Sequence, residues 1–247
     1  MKSKFNNLNI IIIIPTYNEV TNIHSLIEQL FSLKITLDVL IVDDNSPDGT
    51  SQEVAKLQDT YSHLYLITRK NKRGLGSAYK KGFTYALEKG YDVIIQMDAD
   101  LSHSPSDIPQ MVNLLDEYAF VIGSRYVKGG GIAQWPLKRL LLSKAANVFS
   151  KSVLCIAIKD STSGFKCMRR QVLERIEYNT ISSRGYAFQI EMVFRACLKK
   201  IMMTEYPIVF KGRKNDRSKM SLSIALEAFV KVLFLCCKRF NYLFFKK

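Results

Sequence analysis

Residues 92–105, DVIIQMDADLSHSP, carry an apolar run that ends in two aspartates spaced one apart, Asp98 and Asp100. The run over 92–97 has the length and the isoleucine and valine content of a buried strand. A turn and Pro105 follow the two carboxylates. Strands of this kind are typical of the parallel sheets of α/β proteins, in which ligands bind at the carboxyl ends.

Similar apolar runs recur along the chain and alternate with helical patterns. With 92–97, we predict strands at residues 9–14, 37–42, 64–68 and 119–122, and a later strand at 205–210. Apolar residues spaced by three and four predict a helix over 23–31, and further helices should begin near Thr50 and after the glycines of 74–76. The predicted fold class is α/β, a mostly parallel central sheet with helices on both faces.

Polar loops follow most of these strands. PTYNE at 15–19 follows the first, DDNSPDG at 43–49 the second and GSR at 123–125 the fifth. Because the carboxyl ends of parallel strands meet at one edge of the sheet, we expect a single crevice there that contains the side chains of all these loops.

The net charge of +14 predicts an anionic partner: nucleic acid, an anionic membrane surface or a phosphorylated substrate. The surplus is uneven, since residues 199–247 hold 12 basic and 3 acidic side chains, a net of +9. We therefore expect a catalytic domain over residues 1–220 and a distinct basic segment over 221–247.

Two aspartates spaced one apart can direct both carboxylates at one cation when the backbone turns between them. Oxygen ligands suit Mg²⁺ or Mn²⁺, and Mg²⁺ shares its coordination shell with substrate phosphates. The alternative is a solvated turn in which Asp100 helps to cap the next helix. The position of the pair after a buried strand favours a metal site at Asp98 and Asp100.

Two other features point to nucleotide or phosphate chemistry. An aspartate at the end of the second strand, Asp43 or Asp44, could accept hydrogen bonds from a ribose or a base, or could simply belong to a turn. The glycine-rich loop over 123–131 carries Arg125, which could contact a phosphate at two points, or it could be a flexible surface loop. The three histidines share no ligand spacing, and we assign them no metal or catalytic role.

Taken together, these segments resemble family 2 glycosyltransferases, and within them the dolichol-phosphate (polyprenol-phosphate) mannosyltransferases. The matching segments run in the family's order over residues 12–221: IIIPTYNE, IVDDNSPDGT, RGLGSAYKKGF, QMDADLSHSP, GSRYVKGGG, DSTSGFK, RGYAFQIEM and SKMS. The resemblance implies the nucleotide-sugar-binding fold called GT-A, and a divalent cation, Mg²⁺ or Mn²⁺, at the acidic pair.

The resemblance also implies roles for individual residues. Those expected to bind the nucleotide sugar are Pro15, Tyr17, Glu19, Val42, Asp44, Asp98, Ala99 and Asp100. Those expected to bind the donor diphosphate and the acceptor phosphate are Arg125, Arg139, Arg213 and Lys219. The residues expected to act in catalysis are Asp98, Asp100, Arg125 and Arg213. Two departures from the family pattern stand out: Ser102 replaces a frequent glutamine, and the segment around Arg213 lacks the family's aspartate and glycine.

The implied reaction moves mannose from GDP-mannose to dolichyl or polyprenyl phosphate with inversion at the sugar. The nearest alternative keeps the fold and uses a UDP-sugar, as a polyprenyl-phosphate glucosyl- or aminosugar transferase. A basic nucleic-acid-binding module is the alternative from another class. We expect no nucleic-acid partner, because the basic residues are not interleaved with a stacking platform or a groove-binding helix.

The tail over 221–247 has the pattern of an amphipathic membrane-surface helix. At 100° per residue an arc of about 80° holds Ser223, Glu227, Lys231, Lys238 and Asn241, and leucine and phenylalanine occupy the other faces. The alternative is a helix packed on the catalytic domain. No stretch reaches the roughly 20 apolar residues of a spanning helix. We therefore expect a peripheral enzyme on the cytoplasmic face of the plasma membrane or endoplasmic reticulum, where a membrane-anchoring partner or self-association could assist.

Overall fold

The structure is a computed structural model that describes residues 8–71, 74–183, 185–212 and 229–237. The strands in these ranges are β1 Ile10–Thr16, β2 Asp38–Asp43, β3 Leu64–Thr68, β4 Val93–Gln96, β5 Phe120–Ser124, β6 Gly131–Ala133, β7 Lys166–Arg169, β8 Met203–Pro207 and β9 Val209–Lys211. The helices are α1 Val20–Phe31, α2 Thr50–Gln58, α3 Leu75–Glu88, α4 Ile108–Asn113, α5 Leu137–Leu154, α6 Arg170–Arg175 and α7 Gly185–Leu198. Residues 229–237 are also helical.

Seven strands form the central sheet in the order β3-β2-β1-β4-β7-β5-β8. Every neighbouring pair is parallel except the two that β7 makes with β4 and β5. Strands β6 and β9 form a separate parallel pair. The predicted α/β class and mostly parallel sheet are confirmed.

Helices cover both faces because successive strand residues point to opposite sides. In β1, Ile11 and Ile13 pack with α3 and α7, whereas Ile10, Ile12 and Ile14 pack with α1, α2 and α4. All five isoleucines are almost completely buried. A run of consecutive apolar residues is what a strand buried on both faces requires.

The predicted strand over 205–210 is divided into two strands. β8 ends at Pro207, and β9 begins at Val209 and pairs with β6 instead of the central sheet. Proline has no N–H to donate, so the ladder cannot continue unchanged through Pro207. The break turns β9 toward the loop that carries the acidic pair, where the Lys211 N–H donates to the Ser102 carbonyl at 3.0 Å.

Residues 229–237 pack on the catalytic domain through one face, because Val232 and Leu235 are buried in the cluster that contains α3 and α7. The rest of the predicted tail helix over 221–247 lies outside the described residues. Among the helices that the structure describes, none has the length and the apolar character needed to cross a membrane.

Candidate active site

A cavity of about 320 Å³, here called the central cavity, opens at the carboxyl ends of the parallel strands. The predicted site residues that line it are Pro15, Tyr17, Glu19, Asp44, Asp98, Ala99, Asp100, Arg125 and Arg139. These residues come from the ends of four strands and from helix α5, which carries Arg139, so the expectation of a single crevice agrees with the geometry. The short loops after the parallel strands bring them to the same edge.

Val42 is a predicted site residue that does not line the described cavity. The side chain of Val42 is fully buried in the core on the α3 side of the sheet, so only its backbone could approach a ligand. Arg213 and Lys219 lie outside the described residues.

The acidic loop is shaped by hydrogen bonds between residues of the loop itself. Asp100 Oδ1 accepts hydrogen bonds from the Ser102 backbone N–H at 3.1 Å and from the Ser102 hydroxyl. Leu101 between them has a φ of 60°, in the left-handed region that side chains rarely adopt. Ser102 therefore holds the carboxylate of Asp100, and its hydroxyl is directed at that carboxylate.

His103 supports the backbone of the other acid of the pair, Asp98. It is almost completely buried and stacks on Phe165 with 5.0 Å between ring centroids. Its Nδ1 accepts the Asp98 backbone N–H at 3.4 Å and lies 4.0 Å from Asp98 Oδ2. Burial lowers the pKa of His103 although the charges of Asp98 and Asp100 oppose this shift. The ring is therefore neutral, with its proton on Nε2. The histidine spacing in the sequence carried no sign of this role.

Tyr79 is fully buried and interacts with the charges of the acidic pair. Its hydroxyl donates to the Met97 carbonyl at 3.3 Å. Burial, and then the negative charges of Asp98 and Asp100, raise the pKa of the Tyr79 phenol well above its ordinary value. The phenol therefore stays protonated and acts as a hydrogen-bond donor.

The adjacent Asp43 and Asp44 have different environments. Asp43 is fully buried and accepts hydrogen bonds from Thr16 Oγ1 at 2.6 Å, from Ser46 N–H at 2.8 Å and from Ser51 Oγ at 2.7 Å. Asp44 lines the central cavity. Asp43 thus fixes the loop, and Asp44 is the carboxylate that a nucleotide could reach.

Arg69, which directly follows β3, holds Asp44 in place. Its guanidinium pairs with the Asp44 carboxylate, and it also donates to Ser77 Oγ at 2.8 Å and to the Gly74 carbonyl at 3.3 Å. Gly74 precedes α3 with a φ of 84°, which favours glycine. Sequence reasoning missed Arg69, although its place at the carboxyl end of a predicted strand was a usable signal.

Arg125 is buried and held by Asp160 through a two-point contact, with Nε–Oδ2 at 2.7 Å and Nη2–Oδ1 at 2.6 Å. Nη2 also donates to Thr162 Oγ1 at 2.8 Å. Burial opposes the charged form, but the carboxylate of Asp160 outweighs it and raises the pKa of Arg125. Nη1 is the remaining nitrogen that could contact a phosphate.

Two aromatic side chains support the basic side of the cavity. Arg139 stacks on Trp135 with 4.0 Å from its guanidinium carbon to the ring centroid. Trp135 meets Phe210 of β9 edge-on at 5.3 Å, and the Arg125 guanidinium lies 5.5 Å from both rings. The cavity therefore has an acidic wall at Asp98 and Asp100 and a cationic wall at Arg125 and Arg139, which suits a metal-bound diphosphate.

The residues present fit a divalent cation whose coordination shell is completed by the substrate. Within the described ranges, no group of three or more histidine, cysteine, aspartate or glutamate side chains could hold a metal ion. Asp98 and Asp100 supply carboxylate oxygens at the cavity wall. Two carboxylates with the remaining ligands from water and phosphate is the arrangement that Mg²⁺ commonly takes.

The profile of the family described as Glycosyl transferase family 2 matches residues 11–177. The chain belongs to this family. The glycosyltransferase is 42% identical over 226 residues to the polyprenol monophosphomannose synthase of Mycolicibacterium smegmatis. The aligned region covers 90% of this chain and 84% of the relative. It is 38% identical over 225 residues to the undecaprenyl-phosphate mannosyltransferase of Micrococcus luteus, which covers 91% of this chain and 93% of the relative.

Solved structures of other proteins have the same fold as this glycosyltransferase, although their sequence identity to it is low. Glucosyl-3-phosphoglycerate synthase from Mycobacterium tuberculosis superposes with a TM-score of 0.70 at 15% identity, covering 93% of this chain and 80% of that one. A mannosyltransferase from Pyrobaculum calidifontis, in complex with GDP-Man and Mn²⁺, superposes with a TM-score of 0.63 at 17% identity, covering 92% and 64%. The GT-A type of fold is confirmed by these neighbours.

Proposed function

We propose that this glycosyltransferase moves mannose from GDP-mannose to the phosphate of a dolichol or other polyprenol, with inversion at the anomeric carbon. The observation that carries the proposal is the pair of relatives at 42% and 38% identity, both named for mannosyl transfer to a polyprenyl phosphate. The central cavity supports it, because a carboxylate pair and cationic side chains line the same cavity.

The proposal assigns each part of the donor to particular residues of the cavity. The base and ribose of the donor contact Pro15, Tyr17, Glu19, Asp44 and the backbone at Val42. The Ala99 backbone, between the two acids, approaches the diphosphate. Arg69 keeps Asp44 in the orientation that a ribose or base needs.

Asp98 and Asp100 hold Mg²⁺ or Mn²⁺ in this proposal, together with oxygens of the donor diphosphate. When bound, such an ion stabilises the charge that grows on a departing diphosphate. Ser102 holds the carboxylate of Asp100, and His103 holds the backbone of Asp98.

The transfer itself needs one bond to form and one to break. An oxygen of the acceptor phosphate attacks the anomeric carbon from the face opposite GDP, and the bond from that carbon to GDP breaks with its electron pair leaving on the diphosphate. The second pKa of a phosphate monoester is about 6, so the nucleophile is already ionised near neutral pH and no general base is required. This agrees with His103, whose Nδ1 is directed at the Asp98 backbone.

Cationic side chains position the two phosphates. Arg125, Arg139, Arg213 and Lys219 are the residues we assign to this task. Cations that are already in place where charge develops stabilise the transition state without having to reorganise during the reaction. This preorganisation is the main source of electrostatic stabilisation in enzymes. The bidentate contact with Asp160 fixes Arg125 before substrate binds.

The acceptor is a lipid, so the enzyme works at a membrane surface. We place it at the cytoplasmic face as a peripheral protein, with a catalytic domain over 1–220 and a membrane-surface segment over 221–247. The excess of basic side chains in residues 199–247 suits an anionic lipid surface. A membrane-anchoring partner or a second copy could strengthen this attachment.

The test is a transfer assay with radiolabelled GDP-mannose, UDP-glucose and UDP-GlcNAc, each offered with dolichyl and undecaprenyl phosphates. We expect mannosyl lipid from GDP-mannose with Mg²⁺ or Mn²⁺, and none in EDTA. Chemical degradation of the product would establish the anomeric configuration. Transfer from a UDP-sugar alone would overturn the donor assignment, and retention of configuration would overturn the inverting mechanism.

A further inference from the structure

Helix α5, Leu137–Leu154, has its polar side inward. The side chains it buries include Ser143, Asn147 and Ser150, whereas Leu137 and Leu141 are 69% and 57% exposed. A surface helix of a water-soluble protein normally buries its apolar stripe and exposes its polar face. The reversed arrangement leaves an apolar stripe outward.

Specific hydrogen bonds fix α5 in this orientation. Asn147 Nδ2 donates to Thr162 Oγ1 at 3.0 Å, and its Oδ1 accepts from Ser161 Oγ at 3.2 Å. Ser143 Oγ accepts from the Tyr126 hydroxyl at 2.7 Å. These contacts reach the loops that also hold Arg125, so rotating α5 to hide its leucines would disturb the site.

The outward face of α5 combines an apolar stripe with a lysine edge. At 100° per residue, Leu137, Leu141 and Val148 fall within an arc of about 40°. Lys144 and Lys151 lie at one edge of this stripe, and Lys138 lies between Leu141 and Leu142 on the helical wheel. The helix contains no aspartate or glutamate.

The helix over 229–237 extends this surface. Phe229 stacks on Phe149 of α5 with 4.6 Å between ring centroids. The two helices contribute eight of the eleven exposed large apolar side chains among the described residues: Leu137, Leu141, Leu142, Val148, Phe229, Val230, Leu233 and Phe234. Their exposed sides are named the docking face here.

A groove of about 540 Å³ beside α5 leads from this face toward the active site. Lys144, Lys151 and Lys159 line it, and Arg125 lines both the groove and the central cavity. The lysine edge of α5 therefore lies on the same side of the molecule as the cationic wall of the site.

We propose that the docking face rests on an anionic lipid bilayer, with α5 in the plane of the surface, its leucines at the acyl boundary and its lysines at lipid phosphates. This inference rests on the proposed function, which requires a lipid acceptor. Lysines flanking an apolar stripe are the pattern of helices that lie in the headgroup region. A second copy of the chain is a poorer match, because a two-fold contact of this face would bring its lysines against one another.

The test is flotation of the full chain with vesicles of phosphatidylcholine, with and without phosphatidylglycerol. We expect the wild type to float with the anionic vesicles. Replacing Leu137 and Leu141 together, Leu137→Asn with Leu141→Asn, should weaken vesicle binding about tenfold or more, since two exposed apolar side chains lose their burial in lipid. Lys144→Gln with Lys151→Gln should weaken binding to the anionic vesicles about tenfold.

Met202→Asn is the matched control, because Met202 is 63% exposed and lies outside both helices. It should float like the wild type. The proposal is overturned if the double leucine variant floats like the wild type, or if Met202→Asn loses binding to the same extent. It is also overturned if sedimentation shows a dimer that the leucine variant dissociates, because the face would then be a self-interface.

Transfer to a water-soluble, short-chain polyprenyl phosphate separates this proposal from the proposed function. The double leucine variant should keep that transfer at the wild-type rate while losing transfer to long-chain acceptor in vesicles. Wild-type protein that floats but transfers no mannose would leave the docking face intact and remove the proposed function. Full transfer to vesicle-bound acceptor by the double leucine variant would remove the docking face and leave the proposed function intact.

Discussion

Gly164 lies directly against Asp98: a Cβ built at position 164 would stand 2.9 Å from Oδ2 and 3.1 Å from Oδ1 of that carboxylate. No ordinary side-chain contact is so short, so a larger residue must move the carboxylate or the loop. The absence of a side chain at 164 therefore sets where Asp98 can stand.

We expect Gly164→Ala to lower the transfer rate by on the order of 10-fold to 100-fold, because small displacements of a reacting group have costs of that size. The metal concentration for half-maximal activity should rise as well, since Asp98 is displaced. The measurement is the initial transfer rate as a function of Mn²⁺ concentration.

The same substitution made in an Asp98→Ala background separates this cause from a general loss of structure. If Gly164 acts through Asp98, Gly164→Ala should cost little further activity once the carboxylate is gone. Equal losses in both backgrounds would show that position 164 acts by another route.

The acidic pair should tolerate no loss of charge. Asp98→Asn and Asp100→Asn keep the shape of each side chain, and each should lower the transfer rate by on the order of 10²-fold or more. Asp59→Asn, an exposed aspartate at the end of α2, is the control and should leave the rate unchanged. Wild-type rates in both acidic-pair variants would remove the metal role from these residues.

Arg69 should matter for donor affinity more than for the chemical step, because it contacts Asp44 and not the acidic pair. Arg69→Met should weaken GDP binding about tenfold or more, since losing a charged hydrogen-bond partner in a buried site typically costs about 1.5–3 kcal/mol. Isothermal titration with GDP measures this.

Two further variants test the reason for that loss. Arg69→Lys should not restore affinity, because an ammonium cannot reproduce the planar contacts to Asp44, Ser77 and Gly74. Arg170→Met removes a partly exposed arginine paired with Glu174 and should leave GDP binding unchanged. Unaltered GDP affinity in Arg69→Met would show that Asp44 needs no support or does not bind the nucleotide.

The parallel part of the sheet could be predicted because the apolar pattern of each strand is contained in a short stretch of sequence. A strand buried on both faces must be apolar throughout, so β1, β2 and β4 were visible as short isoleucine and valine runs. β7 reads KCMR and carries two cations, so no apolar pattern marks it. Its place between β4 and β5 depends on long-range pairing that a local window does not contain.

The candidate site divides in the same way. Positions in loops that directly follow predicted strands were enough to indicate Asp98, Arg125 and one of the adjacent Asp43 and Asp44. Asp43 and Asp44 could not be told apart, because only the packing of Thr16 and Ser46 shows which carboxylate turns inward. His103 was missed for a related reason: its partner is a backbone N–H, and no sequence spacing records it.

Lys166 predicts a dependence of stability on pH. It is fully buried on β7, where Nζ donates to Gln189 Oε1 at 2.8 Å and to the Ser163 carbonyl. Burial lowers the pKa of Lys166 from 10.5 to about 7, against the opposing charges of Asp160 and Asp98. Between these two pH values the unfolded chain binds more protons than the folded one, so this group makes the protein more stable as pH rises.

From pH 7 to pH 9 the contribution of Lys166 to the free energy of unfolding should rise by about 2 kcal/mol. Lys166→Met removes this contribution. The free energy of unfolding of Lys166→Met minus that of wild type should therefore be higher at pH 7 than at pH 9 by about that amount. Urea unfolding of both proteins at the two pH values, without substrate or metal, measures the difference.

Other titrating groups do not obscure this comparison, because they are shared. Burial raises the pKa of the Cys167 thiol, for example, and that effect is present in both proteins and cancels in the difference. Lys56→Met is the matched control: Lys56 is 76% exposed, and its replacement should shift stability equally at both pH values. A difference between wild type and Lys166→Met that stays constant from pH 7 to pH 9 would mean that Lys166 keeps its proton in the folded protein, held by Gln189 and the Ser163 carbonyl more strongly than burial disfavours it.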